Sequence, residues 1–186
     1  PLLQILPRAD PGRPTGLALV PTRELATQVR DELLPMAHAR GVRITAIYGG
    51  DPIEKQIKAL KSGVEFAVCT PGRAIDLIER GDLSVADVRH VVIDEADRMA
   101  DMGFLPQVEW ILRNVEGDHQ TLLFSATLDG VVDTLVRRYQ HDPTRHEVAS
   151  KGVNVEQMTH RFLLVHEMDK VKVTAAIIRN AERTMV

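Results

Sequence analysis

This sequence has little of what would let it be read by bulk properties. Cys69 is its only cysteine, so no disulfide can form within the chain. That excludes the small disulfide-stapled scaffolds and fits a reducing compartment. Aromatic residues make up 4% of the 186 residues and are not interleaved with basic ones, so base stacking is excluded as the main mode of any nucleic-acid binding. No apolar run approaches the roughly 20 residues of a membrane span. The start, Pro1–Arg8, lacks the basic region and cleavage site of a signal peptide. The expectation is a cytoplasmic protein with no membrane contact. Positive charge is not in excess either: 23 Lys and Arg stand against 26 Asp and Glu, for a net charge of −3. A broad basic surface is therefore excluded, and any contact with a polyanion has to be local. The seven histidines are scattered, and His141 and His146 have no cysteine beside them, so no structural zinc site is expected. The chain also begins without Met, which reads as a fragment.

What is present is ordinary for a globular domain: 44% hydrophobic and 26% charged residues. The organisation lies in their order. Short apolar runs at Gly16–Val20, Val42–Tyr48, Val64–Cys69, Val88–Ile93 and Thr121–Phe124 read as strands. Leu2–Leu6 reads as the last turns of an apolar helix, and amphipathic segments separate the strands. Leu25, Val29, Leu33 and Met36 share one helical face, with Pro35 expected to end or kink that helix and Gly41 to stop it. Ile53, Ile57 and Leu60 share another, and Ile75, Leu77 and Ile78 mark a short third helix. Phe104, Val108, Ile111, Leu112 and Val115 form a fourth face, and Val132, Leu135, Val136 and Tyr139 a fifth. Alternating strands and helices predict an α/β fold, a doubly wound parallel sheet with helices on both faces.

In such a sheet the carboxyl ends of all strands lie along one edge, where ligands bind. Each apolar run here ends in a distinctive group: Pro21–Leu25, Gly49-Gly50, Thr70–Arg73, Asp94–Asp97 and Ser125–Thr127. Segments distant in sequence thus converge on one rim. Asp94-Glu95-Ala96-Asp97 puts three carboxylates just past a buried strand. Two readings stand for it: a solvated helix start, where acids are favoured, or a ligand site. In the second, Asp94 holds Mg²⁺ through water while the metal bridges nucleotide phosphates, and Glu95 orients or deprotonates an attacking water. Asp97 can join a hydrogen-bonded relay. Thr70-Pro71-Gly72-Arg73 opens a helix with a capping hydroxyl, and its free amides and Arg73 suit phosphate; an ordinary capped helix is the plainer reading. Gly49-Gly50 allows close backbone approach or simply makes a turn. Thr22 and Arg23 can touch phosphates, while Arg23 is equally a surface charge.

Together these groups resemble the first RecA-like motor domain of the DEAD-box ATP-dependent RNA helicases, a branch of helicase superfamily 2. The resemblance rests on Pro21-Thr22-Arg23-Glu24-Leu25-Ala26, Gly49-Gly50, Thr70-Pro71-Gly72-Arg73, Asp94-Glu95-Ala96-Asp97 and Ser125-Ala126-Thr127, in that order. It implies ATP and Mg²⁺ as cofactors, Asp94 as the Mg²⁺-linked acid, and Glu95 as the residue that activates water. It implies Asp97, Ser125 and Thr127 as the relay coupling ATP state to strand separation. It implies Thr22, Arg23, Gly49, Gly50, Thr70, Gly72 and Arg73 as contacts to the RNA sugar-phosphate backbone, without strong sequence preference. Residues 1–149 would be this RecA-like domain, 150–157 a linker, and 158–186 the first strand (Thr159–His166) and helix (Met168–Ala181) of a second one. One departure is large: the sequence contains no Gly-x-x-x-x-Gly-Lys-Ser/Thr phosphate loop. The chain alone is therefore expected neither to hydrolyse ATP nor to unwind RNA. Two alternatives remain at this stage: a non-catalytic RNA- or protein-binding module, and a DNA-directed superfamily 2 helicase.

Overall fold

The computed structural model describes residues 1–128, 130–147 and 163–179. The five apolar runs form strands β1 (Gly16–Leu19), β2 (Ile44–Ile47), β3 (Phe66–Cys69), β4 (His90–Ile93) and β5 (Gln120–Leu123). They pair in parallel in the order β2-β3-β1-β4-β5. Leu19 lies in register with Cys69 on one side and Ile93 on the other. The helices are α1 (Leu2–Ile5), α2 (Arg23–Arg40), α3 (Ile53–Lys61), α4 (Pro71–Glu79), α5 (Ala96–Asp101), α6 (Leu105–Asn114) and α7 (Gly130–Tyr139). The expected doubly wound, RecA-like parallel sheet is the observed architecture.

Side chains alternate between the faces of a strand, and here both faces are apolar. Leu17, Leu19, Ala67, Cys69, Val91 and Ile93 pack on one face against Leu60 of α3, Leu77 of α4, Met99 of α5, Ile111 of α6 and Leu135 of α7. Ala18, Val20, Phe66 and Val68 pack on the other against Leu2 and Leu3 of α1 and Leu25, Val29 and Leu33 of α2. Leu17 and Leu19 are fully buried, and each such side chain contributes roughly 2 kcal/mol from the apolar surface removed from water. Cys69 is buried in this core, and burial pushes its thiol up, away from reactivity. β5 is an edge strand, and Thr121–Leu123 are only half-buried.

Two local details differ from the sequence reading. Pro35 does not end α2, which runs on to Arg40. Pro35 is exposed, so the carbonyl it leaves without a helical donor faces water. Gly41 does stop the helix: at φ 63° its N–H donates to the carbonyls of Ala37 and His38. The acidic run does not lead straight into α6 but into α5, a short helix of its own that ends in a turn at Gly103.

The chain divides into two compact units, Pro1–Pro143 and Thr144–Val186. In the second, a 3-10 turn at Glu167–Asp169 leads into α8 (Lys170–Arg179), which accounts for the described part of the expected Met168–Ala181 helix. The expected linker over 150–157 and the residues 159–162 of the expected strand lie outside the described residues, and Leu163–His166 are not in a strand. No helix among the described residues is long and apolar enough to cross a membrane.

Candidate active site

The strand order spreads the five sequence groups along one rim. Gly49-Gly50 follows β2, Thr70–Arg73 follows β3, Pro21–Leu25 follows β1, Asp94–Asp97 follows β4 and Ser125–Thr127 follows β5. The glycines and the Arg-bearing groups therefore occupy three adjacent strand ends, and the acids and hydroxyls occupy the next two. β1 is the border between these halves.

On the first half, the turns after β2 and β3 are tied together. Arg73 Nη1 donates to the Asp51 carbonyl at 3.2 Å, and its Nε lies 3.8 Å from Asp76 Oδ2. Its side chain is 14% exposed, so the guanidinium is held rather than waving in solvent. Gly50 sits at φ 87°, a conformation that L side chains rarely adopt. A Cβ there would stand 3.8 Å from Arg23 Nη1, so Arg23 reaches over this turn. Gly49 and Gly72 are exposed, with nothing within 4 Å of where a Cβ would be. The backbone at both positions is open to a ligand. Thr22 caps α2, its Oγ1 accepting the Leu25 N–H at 3.2 Å. Thr70 stands at the N-cap of α4 without a side-chain cap bond, contrary to the expected capping hydroxyl. Pro71 at the first helical position has no N–H to offer, and the Thr70 N–H is committed to the Ile47 carbonyl at 2.8 Å.

On the second half, the Asp94 N–H is held by the Leu19 carbonyl at 3.0 Å, which locks the acid to the end of β1. Asp94 is half-buried, and its Oδ1 accepts the Glu95 N–H at 2.9 Å. Burial pushes the Asp94 carboxyl above its ordinary value; the Glu95 N–H offsets part of this, and the Glu95 charge adds to it. No basic side chain pairs with Asp94 among the described residues. Glu95 adopts left-handed backbone geometry, φ 48° and ψ 51°, which costs a non-glycine residue about 1–2 kcal/mol. Its Oε2 meets Arg98 Nη1 at 3.0 Å. Ser125 Oγ accepts the Asp97 backbone N–H at 3.1 Å, and the Ala96 N–H donates to the Phe124 carbonyl at 3.1 Å. Asp97 and Ser125 are thus brought together through the Asp97 backbone rather than its carboxylate. Thr127 is exposed and joins no side-chain hydrogen bond among the described residues.

The carboxylates present fit Mg²⁺ in one specific way. No group of three His, Cys, Asp or Glu residues converges among the described residues. An all-protein cage is therefore not built here. One unpaired, half-buried carboxylate suits an ion that keeps several waters and takes its other ligands from substrate phosphates. An apolar cavity of about 470 Å³ between α1, α2 and the sheet touches this rim only at Asp94, and its walls suit apolar packing rather than phosphate.

Sequence reasoning missed Arg98 and Glu24. Arg98 is signalled by its i,i+3 spacing from Glu95 on a helix. Glu24 appears only once the fold is known, because β1 and β4 are neighbours and their carboxyl ends lead into α2 and α5.

Comparison with known proteins bears directly on this rim. Residues 1–135 match the family model "DEAD/DEAH box helicase". The chain belongs to the DEAD/DEAH box helicase family. Among curated relatives, it is 41% identical over 155 residues to the DEAD-box ATP-dependent RNA helicase CshA of Streptococcus pneumoniae, covering 83% of this chain and 30% of that protein. It is 46% identical over 160 residues to the pre-mRNA-processing ATP-dependent RNA helicase prp5 of Aspergillus terreus, covering 84% of this chain and 14% of that protein. Among solved structures, a DEAD box protein from Methanococcus jannaschii matches with a TM-score of 0.69 at 40% identity, over 76% of this chain and 38% of the other. The yeast DEAD-box splicing factor Prp28 matches with a TM-score of 0.65 at 35% identity, over 68% and 30%. The chain thus spans a third or less of the curated relatives named here.

Proposed function

We propose that this chain is the RNA-contacting and water-activating part of an ATP-dependent RNA helicase, and that the intact gene product couples ATP hydrolysis to local opening of RNA duplexes. The observation that carries this reading is the division of one rim into two halves. Glycine-exposed backbone and Arg23 and Arg73 line one half; Asp94 and Glu95 line the other.

On the acidic half, Mg²⁺ would be held near Asp94 through water and would neutralise charge on the β- and γ-phosphates. Glu95 orients the attacking water and accepts its proton as the water oxygen bonds to the γ-phosphorus. The bond from that phosphorus to the ADP oxygen breaks, leaving ADP and inorganic phosphate. Asp97 and Ser125, joined across the β4 and β5 ends, and Thr127 beyond them form the link between nucleotide state and RNA. On the other half, Thr22, Arg23, Gly49, Gly50, Thr70, Gly72 and Arg73 contact sugar and phosphate. Such contacts position a strand without reading bases. Residues 1–149 form the first motor domain, 150–157 a linker and 158–186 the beginning of a second. Because the sequence holds no phosphate loop, residues 1–186 alone neither hydrolyse ATP nor unwind RNA.

Strand displacement tests the reading. The intact gene product should separate a short RNA duplex with ATP, and not with a non-hydrolysable analogue. Displacement of a DNA duplex in preference to RNA would favour a DNA-directed helicase. RNA binding without any ATP-dependent displacement would leave a binding module.

A further inference from the structure

We infer that Arg98 is a positioning residue that restrains Glu95 until RNA is bound, by exchanging Glu95 for Glu24 as its ion-pair partner. The inference deepens the functional reading above and rests on it. Three observations carry it. Arg98 Nη1 lies 3.0 Å from Glu95 Oε2, so the carboxylate assigned to the water is occupied by a guanidinium. Glu24 is bound to Arg23, with Nε to Oε1 at 2.6 Å, and Arg23 is a residue assigned to RNA phosphate. The two pairs follow neighbouring strands, since Leu19 of β1 pairs with Ile93 of β4. Glu24 lies below its ordinary value mainly through the Arg23 hydrogen bond, and the Arg98 charge contributes as well, so Arg98 is within electrostatic reach of Glu24.

The two ion pairs, Arg23–Glu24 and Arg98–Glu95, lie on the two halves of the rim. Both pairs are exposed: the side chains of Arg23, Glu24 and Arg98 are each more than half accessible, and that of Glu95 is 39% accessible. Exposed pairs exchange partners at little cost. A phosphate arriving at Arg23 competes with Glu24 for the guanidinium. Glu24, losing its partner, draws Arg98, and Glu95 is released to accept the proton of the attacking water. Occupancy at one site thereby changes the state of the other through a defined set of contacts.

The test is ATP hydrolysis by the intact gene product, without RNA and at saturating RNA, in the wild type and in Arg98→Ala, Arg98→Lys, Glu24→Gln and the Arg98→Ala/Glu24→Gln double variant. Arg98→Ala should raise the RNA-free rate by roughly two- to fivefold, the size an exposed ion pair allows, and lower the RNA-stimulation ratio by the same factor. Arg98→Lys keeps the charge and should keep the low RNA-free rate. Glu24→Gln should lower the stimulation ratio by reducing the RNA-saturated rate. The double variant should behave as Arg98→Ala, because Glu24 acts only through Arg98. A stimulation ratio that survives Arg98→Ala overturns the exchange while leaving the helicase reading intact. Equal losses of the RNA-free and RNA-saturated rates in Arg98→Ala overturn it too. Hydrolysis in the wild type that ignores RNA overturns both. Arg98 is exposed, so its variants keep the fold, and unchanged thermal unfolding verifies this.

Discussion

The two ends of the sheet both carry buried or half-buried carboxylates, and they treat them in opposite ways. At the amino end, Glu65 is 1% exposed and fully partnered. It accepts the Arg43 backbone N–H at 2.7 Å, the Arg43 Nε at 3.2 Å and Nη2 at 2.8 Å, and Arg8 stands 3.5 Å away. Burial alone would raise this carboxyl, but the hydrogen bonds and charge of Arg43 outweigh it and bring it down to about 2. At the carboxyl end, Asp94 has one backbone N–H, no basic partner among the described residues, and a carboxyl held above its ordinary value. Glu65 ties β2, β3 and the segment after α1 together. Asp94 is a charge the protein alone leaves underpaid, and such a group is suited to receive a cation. A carboxylate that stabilises the fold is therefore distinguished from one that serves a ligand by its partners, not by its burial.

The sharpest way to break this contrast is to neutralise an acid at each end. Glu95→Gln in the intact gene product should slow ATP hydrolysis by roughly 10²–10⁴-fold, the range for loss of a general base. Its thermal unfolding should stay within about 0.5 kcal/mol of the wild type, as for other surface changes. Glu65→Ala should do the reverse at the amino end. It leaves the Arg43 N–H and guanidinium without their acceptor and should destabilise the chain by about 3 kcal/mol in urea unfolding. A stability loss at Glu95 with none at Glu65 would erase the distinction.

Acid gives the next largest effect. Because the Glu65 carboxyl is lowered in the folded state, its stabilisation is complete above its ordinary value near 4.5 and is lost as pH falls from there towards 2. The loss should reach about 2–3 kcal/mol in the unfolding free energy, taken from urea titrations at a series of pH values. Glu65→Gln should flatten that part of the profile. The smallest effect belongs to the rim arginines. Arg73→Ala should weaken single-stranded RNA binding a few-fold irrespective of sequence and reduce the salt-dependence slope by about 0.7, the value for one phosphate contact. A loss confined to one RNA sequence would indicate base readout instead.

Most of the fold was legible in the sequence because each strand and helix is a local pattern. Leu17 and Leu19, or Val108, Ile111 and Leu112, declare their periodicity within a few residues. The rim was legible because a parallel sheet puts every strand's carboxyl end on the same edge, so Asp94 and Gly49 can be placed together without knowing strand order. What escaped depends on that order. Glu65 and Arg43 are 22 residues apart and pair only because β2 and β3 are neighbours. The Arg98 charge acts on Glu24 only because β1, which leads into α2, lies beside β4, which leads into α5. Pro35 was read by its general effect on helices, whereas its exposure on α2 decides the outcome. Thr70 was read by its position before a helix, and the structure leaves its hydroxyl without the expected cap bond.

The measurement that tests the central claim most directly is the rate of Mg²⁺-dependent ATP hydrolysis by the intact gene product, with and without single-stranded RNA. If the two halves of the rim act together, hydrolysis rises with RNA and saturates as RNA binding does. RNA binding that proceeds normally while hydrolysis is absent or indifferent to RNA would contradict the account.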